Sequence, residues 1–502
     1  MFIPIIAWIY LIAMGCIVLY SLSQLQLIYY FIKHRYHSYK QTIHKEKTRF
    51  QPEHNEENEA YYPYITVQLP IYNEMYVVQR LLSAIFNLEY PKNKLQIQIL
   101  DDSTDQTSQI IKDTLLQFST IYENVDWEYI HRQDRIGFKA GALQNALASC
   151  KGELIAIFDA DFSPESSFLL EIITEFKQDN RIAAVQTRWT HLNEHSSLLT
   201  ELQAFMLNAH FTMEQYARNK ANFFINFNGT AGIWRKAAIQ AAGGWHIDTI
   251  TEDLDLSYRV QLLGWRIHYD DTIGCAAELP PHITALRSQQ FRWTKGAAEV
   301  ARKHLIAVWK SPLSLNIKYQ ATAHLLNSSL FIAILITSIL SIWVNYAVYS
   351  QQIGDIYLQI RDIMGLVFYV VLLFFSLSFY YQNSWNFKNT LYFILRFPLF
   401  LSATYGLSVH NSWAAVQGLL GIKSEFVRTP KLNEQNLKVA NPYLNHSWSK
   451  LLIVETILAV YFIIGLVLDI RWQMYSLIPF HCLLIIGFSY MVILQFKSII
   501  NK

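Results

Sequence analysis

Three short motifs of chemically active residues follow one another along the polar part of this chain. They are Asp-Ala-Asp at 159–161, Thr-Glu-Asp at 251–253 and Gln-Gln-Phe-Arg-Trp at 289–293. Two carboxylates one residue apart, Asp159 and Asp161, offer the oxygen ligands that Mg²⁺ or Mn²⁺ prefers. A cation held there could neutralise a departing diphosphate. Each motif alone is also common in solvated turns, so the prediction of one site depends on their order and setting.

Other residues of the polar region offer the remaining groups that are needed to transfer a group from a diphosphate to a hydroxyl. Lys139 begins a helical run, where its ammonium and free backbone N–H groups could meet a phosphate. A purely structural lysine is the alternative. Asp253, with Glu252 beside it, opens another predicted helix and is our candidate for the base that deprotonates an attacking hydroxyl. The alternative there is an ordinary helix N-terminus with acidic residues in its first turn.

Gln289, Arg292 and Trp293 occupy one turn of a predicted helix, so Gln289 and one or both of the others point to one side. Arg292 can bind a diphosphate through two parallel hydrogen bonds, and the indole of Trp293 can stack on the C–H face of a sugar ring. The alternative is an interfacial membrane helix with its tryptophan at headgroup level.

A predicted α/β domain positions these residues. Between about 50 and 318, short apolar runs alternate with helical periods, which is typical of a mostly parallel sheet with crossover helices. The predicted strands are Tyr64 to Leu69, Leu95 to Leu100 and Leu154 to Phe158. Ligands of such sheets bind beyond the carboxyl ends of strands. Asp102 follows the second strand and could accept hydrogen bonds from a nucleobase or ribose, whereas Asp101 could share that role or cap the next helix.

Hydrophobic segments enclose this domain on both sides. Hydrophobic residues make up 52% of the chain and charged residues only 16%. The chain is therefore more hydrophobic than an average soluble protein. Apolar runs near the length needed to cross a bilayer lie at 3–31, 319–347, 363–381, 451–470 and 474–496. Arg396, Pro398, His410 and Asn411 interrupt a further run at 389–420. We assign that run to the inner interface, because counting it as a span would put the following basic loop outside.

The sequence therefore predicts an integral membrane protein with five spans. Its N-terminus lies outside, and its α/β domain and C-terminus lie in the cytosol. The predicted segments are a transmembrane helix (1–32), a cytosolic linker (33–63), the α/β domain (64–282), interfacial helices (283–318), two transmembrane helices (319–381), an interfacial helix (389–420), a cytosolic loop (421–449) and two transmembrane helices (450–502). A net charge of +2 gives no reason to expect a nucleic-acid partner.

In nine ordered strings the chain resembles the inverting family 2 glycosyltransferases. Within that family it is most similar to the cellulose-synthase-like mannan and glucan synthases of the cellulose synthase superfamily. The strings are Leu69 to Glu74, Leu100 to Asp105, Lys139 to Leu143, Phe158 to Phe162, Val185 to Trp189, Asn228 to Arg235, Ala242 to Trp245, Glu252 to Leu256 and Gln289 to Trp293. Together they cover about 65 to 305, a span too long for chance similarity.

The resemblance implies a GT-A fold and a metal-dependent hexosyltransferase. It implies Mg²⁺ or Mn²⁺ at Asp159 and Asp161, a nucleotide contact at Asp102, the catalytic base at Asp253 and an acceptor site lined by Trp293. The implied donor is UDP-glucose or GDP-mannose. The implied acceptor is a growing glucan or mannan with β-1,4 linkages, which leaves through a channel of membrane helices.

The string Phe426 to Lys431 resembles the gating loop of bacterial cellulose synthase, Phe-x-Val-Thr-x-Lys. Arg428 stands where that loop has valine. We expect the nucleotide-sensing role of the loop to depend on Thr429, and we expect Thr429 and Lys431 to contact the substrate. Two other functions remain as alternatives. One is a single-transfer glycolipid synthase similar to the ceramide glucosyltransferases. The other is a polysaccharide transporter with a decayed catalytic domain, which the complete set of acidic residues argues against.

Overall fold

An eight-stranded sheet forms the centre of the polar domain in the computed structural model, which describes residues 2–45, 61–122, 124–424, 428, 429, 431 and 450–500. The strands are β1 (Ile65–Ile71), β2 (Leu95–Asp101), β3 (Asp126–His131), β4 (Leu154–Ile157), β5 (Ser163–Pro164), β6 (Ile182–His191), β7 (Gly232–Arg235) and β8 (Arg266–Ala277). Their order is β3-β2-β1-β4-β7-β6-β8-β5. Only β7 and β5 run antiparallel to their neighbours. The predicted fold class is confirmed, and the three predicted strands end within two residues of the observed ones.

Side-chain hydrogen bonds fix the register between β1 and β2. Thr66 donates to Gln96 Oε1 at 2.8 Å, and Gln68 donates to Gln98 Oε1 at 2.9 Å. All four side chains are buried, where an unpaired polar group would be costly. In this register the end of β1 lies beside Asp101 at the end of β2. The carboxyl ends of both strands therefore open on the same edge of the sheet.

Helices cover both faces of the sheet. They are α2 (Val78–Phe86), α3 (Thr107–Ile121), α4 (Phe138–Ala146), α5 (Phe168–Gln178), α6 (Leu198–Ala209), α7 (Tyr216–Lys220), α8 (Lys236–Ala241), α9 (Glu252–Leu262) and α10 (Ile283–Lys310). One core cluster packs α2, α3 and α5 on the sheet, and a second packs α4, α7, α8 and α9 on its other face. Burial of these apolar faces holds the strand ends in place.

The remaining helices are apolar. They are α1 (Phe2–Lys45), α11 (Leu315–Leu326), α12 (Leu330–Tyr349), α13 (Asp355–Gly365), α14 (Val367–Gln382), α15 (Phe387–Gly406), α16 (Ser408–Leu420), α17 (Lys450–Arg471) and α18 (Ile478–Ile500). Five helical stretches of the described chain are long and apolar enough to cross a membrane: Ile5–Arg35, Leu315–Tyr349, Tyr357–Gln382, Leu451–Arg471 and Tyr475–Ile500. They match the five predicted spans.

Two predicted segments differ in detail from the structure. Helix α1 continues to Lys45, so the first part of the predicted linker 33–63 is helical, while 46–60 lies outside the described residues. The predicted interfacial helix 389–420 is two helices, α15 and α16, bent by 50°. Two of the polar residues that interrupt this run contact α6 and α10. Arg396 pairs with Glu201 of α6 at 2.6 Å, and His410 Nε2 lies 2.9 Å from the carbonyl oxygen of Arg287 on α10.

A buried ion pair attaches α10 to the membrane helices. The Arg287 guanidinium donates to both carboxylate oxygens of Glu455 on α17, at 2.6 and 2.7 Å, and to Gln495 Oε1 on α18 at 2.6 Å. These side chains are at most 6% exposed. Since α10 also carries Gln289, Arg292 and Trp293, this contact ties the position of the third motif to the membrane bundle.

We expect Glu455→Gln to destabilise the folded protein by about 3–5 kcal/mol, because it leaves the Arg287 charge buried without a counter-charge. The double variant Arg287→Met/Glu455→Leu should recover most of that loss, because it removes both charges. Thermal unfolding in lipid nanodiscs is the measurement. Asp126→Asn, which breaks the more exposed pair with Lys151, is the control and should cost no more than about 1 kcal/mol. Equal unfolding temperatures for Glu455→Gln and Asp126→Asn would contradict this role of the pair.

Candidate active site

Two adjoining cavities, of about 140 and 110 Å³, form a crevice beyond the carboxyl ends of β1, β2 and β4. Every predicted site residue except Asp101 lines one or both of them. Lys139, Asp159, Arg292, Thr429 and Lys431 line both. The structure thus brings together residues from the α/β domain, from α10 and from the segment before α17.

Lys139 holds the first aspartate of the Asp-Ala-Asp motif. Its ammonium donates to Asp159 Oδ1 at 2.6 Å and to the carbonyl oxygen of Gly229 at 2.8 Å. Burial disfavours the charge of Lys139, but Asp159 and Glu252 outweigh that effect and raise its pKa. Burial likewise opposes the charge of Asp159, yet Lys139 and Lys431 lower the pKa of its carboxyl group. Both residues are therefore charged.

The second motif begins α9 and faces Lys139. Glu252 Oε1 lies 3.9 Å from the Lys139 ammonium, and Asp253 Oδ1 accepts the backbone N–H of Leu254 at 2.9 Å. Burial, and then the neighbouring Glu252 carboxylate, raise the pKa of Asp253 to about 7. A pKa near neutral suits a general base. The side chain of Thr251, by contrast, does not cap α9.

Gly229 makes the close approach of these groups feasible. Its φ of +82° is a backbone conformation that favours glycine. A Cβ atom there would lie 3.0 Å from Asp253 Oδ2 and 3.4 Å from the Lys139 ammonium. The absence of a side chain at this position therefore leaves the space in which Asp253 and Lys139 face each other.

Arg428, Thr429 and Lys431 contact three walls of the crevice. Lys431 pairs with Asp161, Thr429 Oγ1 accepts from Arg292 Nη2 at 2.6 Å, and Arg428 Nη1 lies 3.0 Å from Glu74 Oε2. Phe426, Val427 and Pro430 of the predicted gating-type loop lie outside the described residues. Burial raises the pKa of Glu74 to about 7 although Lys431 and Arg428 oppose it.

Trp293 and Gln289 line the larger cavity with Asp253. Trp293 packs against a small apolar cluster of Ala204, Leu207 and Leu279. Its ring is thus supported from behind by α6 and by the chain after β8.

Burial lowers the pKa of Arg292, against the opposing effect of Asp159.

The two aspartates at the end of β2 have different surroundings. Asp102 lines the smaller cavity, and its carboxylate is held by Arg132, whose Nε donates to Oδ1 at 2.8 Å. Asp101 is fully buried away from both cavities and accepts hydrogen bonds from Ser103 N, Ser108 Oγ and Tyr129 OH at 2.9, 2.5 and 2.7 Å. Burial alone would raise the pKa of Asp101, but these hydrogen bonds lower it. A ligand in the crevice meets Asp102 and not Asp101.

The carboxylates of Asp159 and Asp161 fit a divalent cation. Each contacts an ammonium group, that of Lys139 and that of Lys431 respectively, and a bound divalent cation would take the place of these contacts. Another group of potential ligands in the described chain is His246, Asp248 and Asp255. There the Lys303 ammonium lies 2.7 Å from Asp248 and 2.8 Å from Asp255, which places a cation of the protein itself between these carboxylates.

Several residues at the crevice were absent from the predicted site. Glu74 and Gly229 lie in strings that carry the family resemblance, so a signal was available for both. Arg132 lies outside those strings, and its pairing with Asp102 depends on the neighbouring strand β3. In the sequence Arg428 stands out only as a departure from the gating-loop pattern, whereas in the structure it contacts Glu74, which follows β1.

Residues 63–296 match the family model described as "Glycosyltransferase like family 2". The match covers the α/β domain and the first part of α10. It is 41% identical over 251 residues to a probable glucomannan 4-beta-mannosyltransferase 7 of Oryza sativa subsp. japonica, covering 49% of this chain and 43% of that protein. It is 36% identical over 307 residues to glucomannan 4-beta-mannosyltransferase 2 of Arabidopsis thaliana, covering 60% and 56%. The chain spans about half the length of the curated relatives it matches.

A solved structure supports the fold. The mannosyltransferase of Pyrobaculum calidifontis, in complex with GDP-Man and Mn2+, superposes with a TM-score of 0.50 at 17% identity. The superposition covers 82% of this chain and all of that one. The predicted GT-A type of domain with attached apolar helices is confirmed at the level of the fold.

Proposed function

We propose that this protein is an inverting hexosyltransferase of the membrane that extends a β-1,4-linked glycan from a nucleotide sugar. One observation carries the proposal. A carboxylate with a pKa of about 7, Asp253, faces the Asp159 and Asp161 pair in one crevice, and the aromatic ring of Trp293 lines the same cavity. Because the first-named relatives are glucomannan 4-beta-mannosyltransferases, we propose a mannan or glucomannan as product and GDP-mannose, rather than UDP-glucose, as donor.

The donor binds across both cavities. Asp102, held by Arg132, accepts hydrogen bonds from the nucleoside in the smaller cavity, while Lys139 and Arg292 contact the diphosphate where the two cavities meet. Asp159 and Asp161 would hold Mg²⁺ or Mn²⁺. When bound, the cation neutralises the diphosphate and makes it a better leaving group. Thr429 and Lys431 then contact the donor from the segment 428–431.

The acceptor sugar stacks on Trp293, and Gln289 contacts it from the same helix. Asp253 takes the proton from its attacking hydroxyl, assisted by the neighbouring Glu252. The hydroxyl oxygen forms a bond with the anomeric carbon of the donor. The bond from that carbon to the phosphate oxygen breaks, and its electrons leave with the nucleoside diphosphate. Attack opposite the leaving group inverts the anomeric configuration.

We further propose that the five apolar helical stretches cross the bilayer with the N-terminus outside, and that the domain and the C-terminus lie in the cytosol. This orientation puts the crevice where nucleotide sugars are made. It also places α10 at the inner interface, between the crevice and the membrane helices, so that the growing glycan can leave through the bundle.

The decisive experiment uses the purified full chain in lipid nanodiscs with labelled GDP-mannose or UDP-glucose. We expect a long polymer that a β-1,4-mannan hydrolase digests. Label that instead partitions into organic solvent as a glycolipid would support the single-transfer alternative. Absence of transfer from either donor would refute the proposed function.

We expect Asp253→Asn to lower the transfer rate by about 10²–10⁴-fold, because it removes the base and preserves its shape, while the donor dissociation constant stays near that of the wild type. Single-turnover transfer and equilibrium donor binding are the two measurements. The control is Asp105→Asn. Asp105 accepts the backbone N–H of Thr107, the first residue of α3, at 2.9 Å, a hydrogen bond that the Asn side-chain oxygen can also accept. Turnover close to wild type in Asp253→Asn would exclude Asp253 as the base.

We expect Asp161→Ala to raise the Mn²⁺ concentration needed for half-maximal donor binding, because the cation loses a carboxylate ligand. Excess chelator should mimic the substitution in the wild type. Asp248→Ala tests the other acidic cluster and should leave the metal dependence unchanged. If Asp248→Ala alters the metal dependence and Asp161→Ala does not, the metal site has been misassigned.

We expect Gly229→Ala to lower the transfer rate by about 10²-fold, because a Cβ atom there displaces Asp253 or Lys139 from its position. Gly264→Ala is a matched control: its φ is +91°, and a Cβ atom would have nothing within 4 Å. Both substitutions carry a similar backbone strain of about 1–2 kcal/mol. Comparison of transfer rate with thermal stability separates the two effects. Equal rate losses in both variants would show that strain alone explains the result.

A further inference from the structure

A separate cavity, of about 540 Å³, lies outside the crevice, between the domain and the membrane helices. Its walls come from β6 and α6 on one side and from α14 and α15 on the other. Its volume falls within the range of about 300–1,000 Å³ that is usual for ligand sites. The proposed transfer reaction does not use this cavity.

Strand β6 separates this cavity from the crevice. Arg188 and Thr190 line the cavity, and Trp189 lines the crevice, as expected for side chains that alternate along a strand. His191, at the end of the strand, borders both. The two spaces are therefore neighbours that share one side chain, and a molecule in the cavity lies next to the proposed acceptor side of the crevice.

Besides the ring nitrogens of His191, two buried polar groups in the cavity wall have no hydrogen-bond partner among the described residues. The Ser378 hydroxyl is one, on a side chain that is only 2% exposed. The other is Arg188 Nε, although the same guanidinium donates to Gln382 through Nη2. An unsatisfied buried group costs about 1–3 kcal/mol. Both atoms lie just beneath the cavity surface, so a bound polar molecule would become their partner only after a small movement of the neighbouring side chains.

The lining favours a neutral molecule with many hydroxyl groups. Four carboxamide side chains contribute to it: Asn208, Gln382, Asn383 and Asn389. Carboxamides both donate and accept hydrogen bonds, as hydroxyl groups do. Burial, and then Arg188, lower the pKa of His191 to about 4, so its ring is neutral. Glu194 offsets one of the two cations, Arg188 and Lys388. The rings of Phe205, Phe379 and Tyr392 add apolar surface for the C–H faces of sugars.

We propose that this cavity is a second glycan-binding site, which holds a short segment of neutral oligosaccharide beside the acceptor crevice. The existence of a polar ligand site rests on the cavity and its unpartnered groups. The choice of a glycan as ligand rests in addition on the proposed function. Such a site keeps acceptor chains near Trp293 between transfers and raises their local concentration.

The test is equilibrium binding of labelled β-1,4-mannotetraose to the full chain in nanodiscs of one defined neutral phospholipid. Trp293→Ala is used as the background, so that binding in the crevice is weakened. We expect saturable binding in this background. Addition of Ser378→Leu should weaken it by at least about tenfold, a loss of about 1.4 kcal/mol, because leucine fills the cavity and removes the hydroxyl. Asn208→Leu, on the opposite wall, should have the same effect and guards against misfolding of one variant.

Ser376→Leu is the matched control, because it makes the same change on α14 at a residue that does not line the cavity. It should bind mannotetraose as the background does. Equal binding by Ser378→Leu, Asn208→Leu and Ser376→Leu would overturn the proposal. So would the absence of saturable binding, or the finding by cryo-electron microscopy that only water or a phospholipid headgroup fills the cavity.

The same experiment separates this proposal from the proposed function. If the wild type transfers no sugar but the background binds mannotetraose and Ser378→Leu abolishes binding, the cavity is a glycan site and the transfer reaction is wrong. If the wild type makes polymer but the cavity variants bind and elongate normally, the transfer reaction stands and the second site is refuted.

Discussion

The charge balance of the crevice is the constraint on which the rest of this structure depends. Seven carboxyl groups line it: Glu74, Asp102, Asp159, Asp161, Glu252, Asp253 and Glu278. Like charges removed from water repel strongly, and an unpaired buried charge costs several kcal/mol. Cations from three separate parts of the chain provide the compensation: Lys139, Arg292, Arg428 and Lys431. The site therefore forms only when these parts are docked.

This requirement joins the α/β domain to the apolar helices. Arg292 lies on α10, and the same helix is held to α17 and α18 through Arg287 and Glu455. Lys431 belongs to the segment before α17 and pairs with Asp161 of the domain. A change in the packing of the membrane helices consequently reaches both the proposed diphosphate contact and the proposed metal ligands.

The cavity between β6 and α14 is a further consequence of this docking. The domain presents a strand end and α6 to the membrane helices, and their surfaces do not fill the space between them. The unpartnered Ser378 hydroxyl and Arg188 Nε are retained where a fully packed apolar interface would have been more stable. The proposed second glycan site lies at this boundary, next to the crevice.

The sequence by itself determined the fold class and the three strands that end at the crevice, because both follow from local periodicity. It determined the five apolar stretches through segment length, and eleven of the residues that line the site through short motifs. Only the tertiary structure decided which aspartate after β2 faces the crevice, since Arg132 on one side and Tyr129 with Ser108 on the other come from different elements. It also decided the pairing of Arg428 with Glu74 and the bend between α15 and α16. Such contacts join residues far apart in the chain, and no local pattern encodes them.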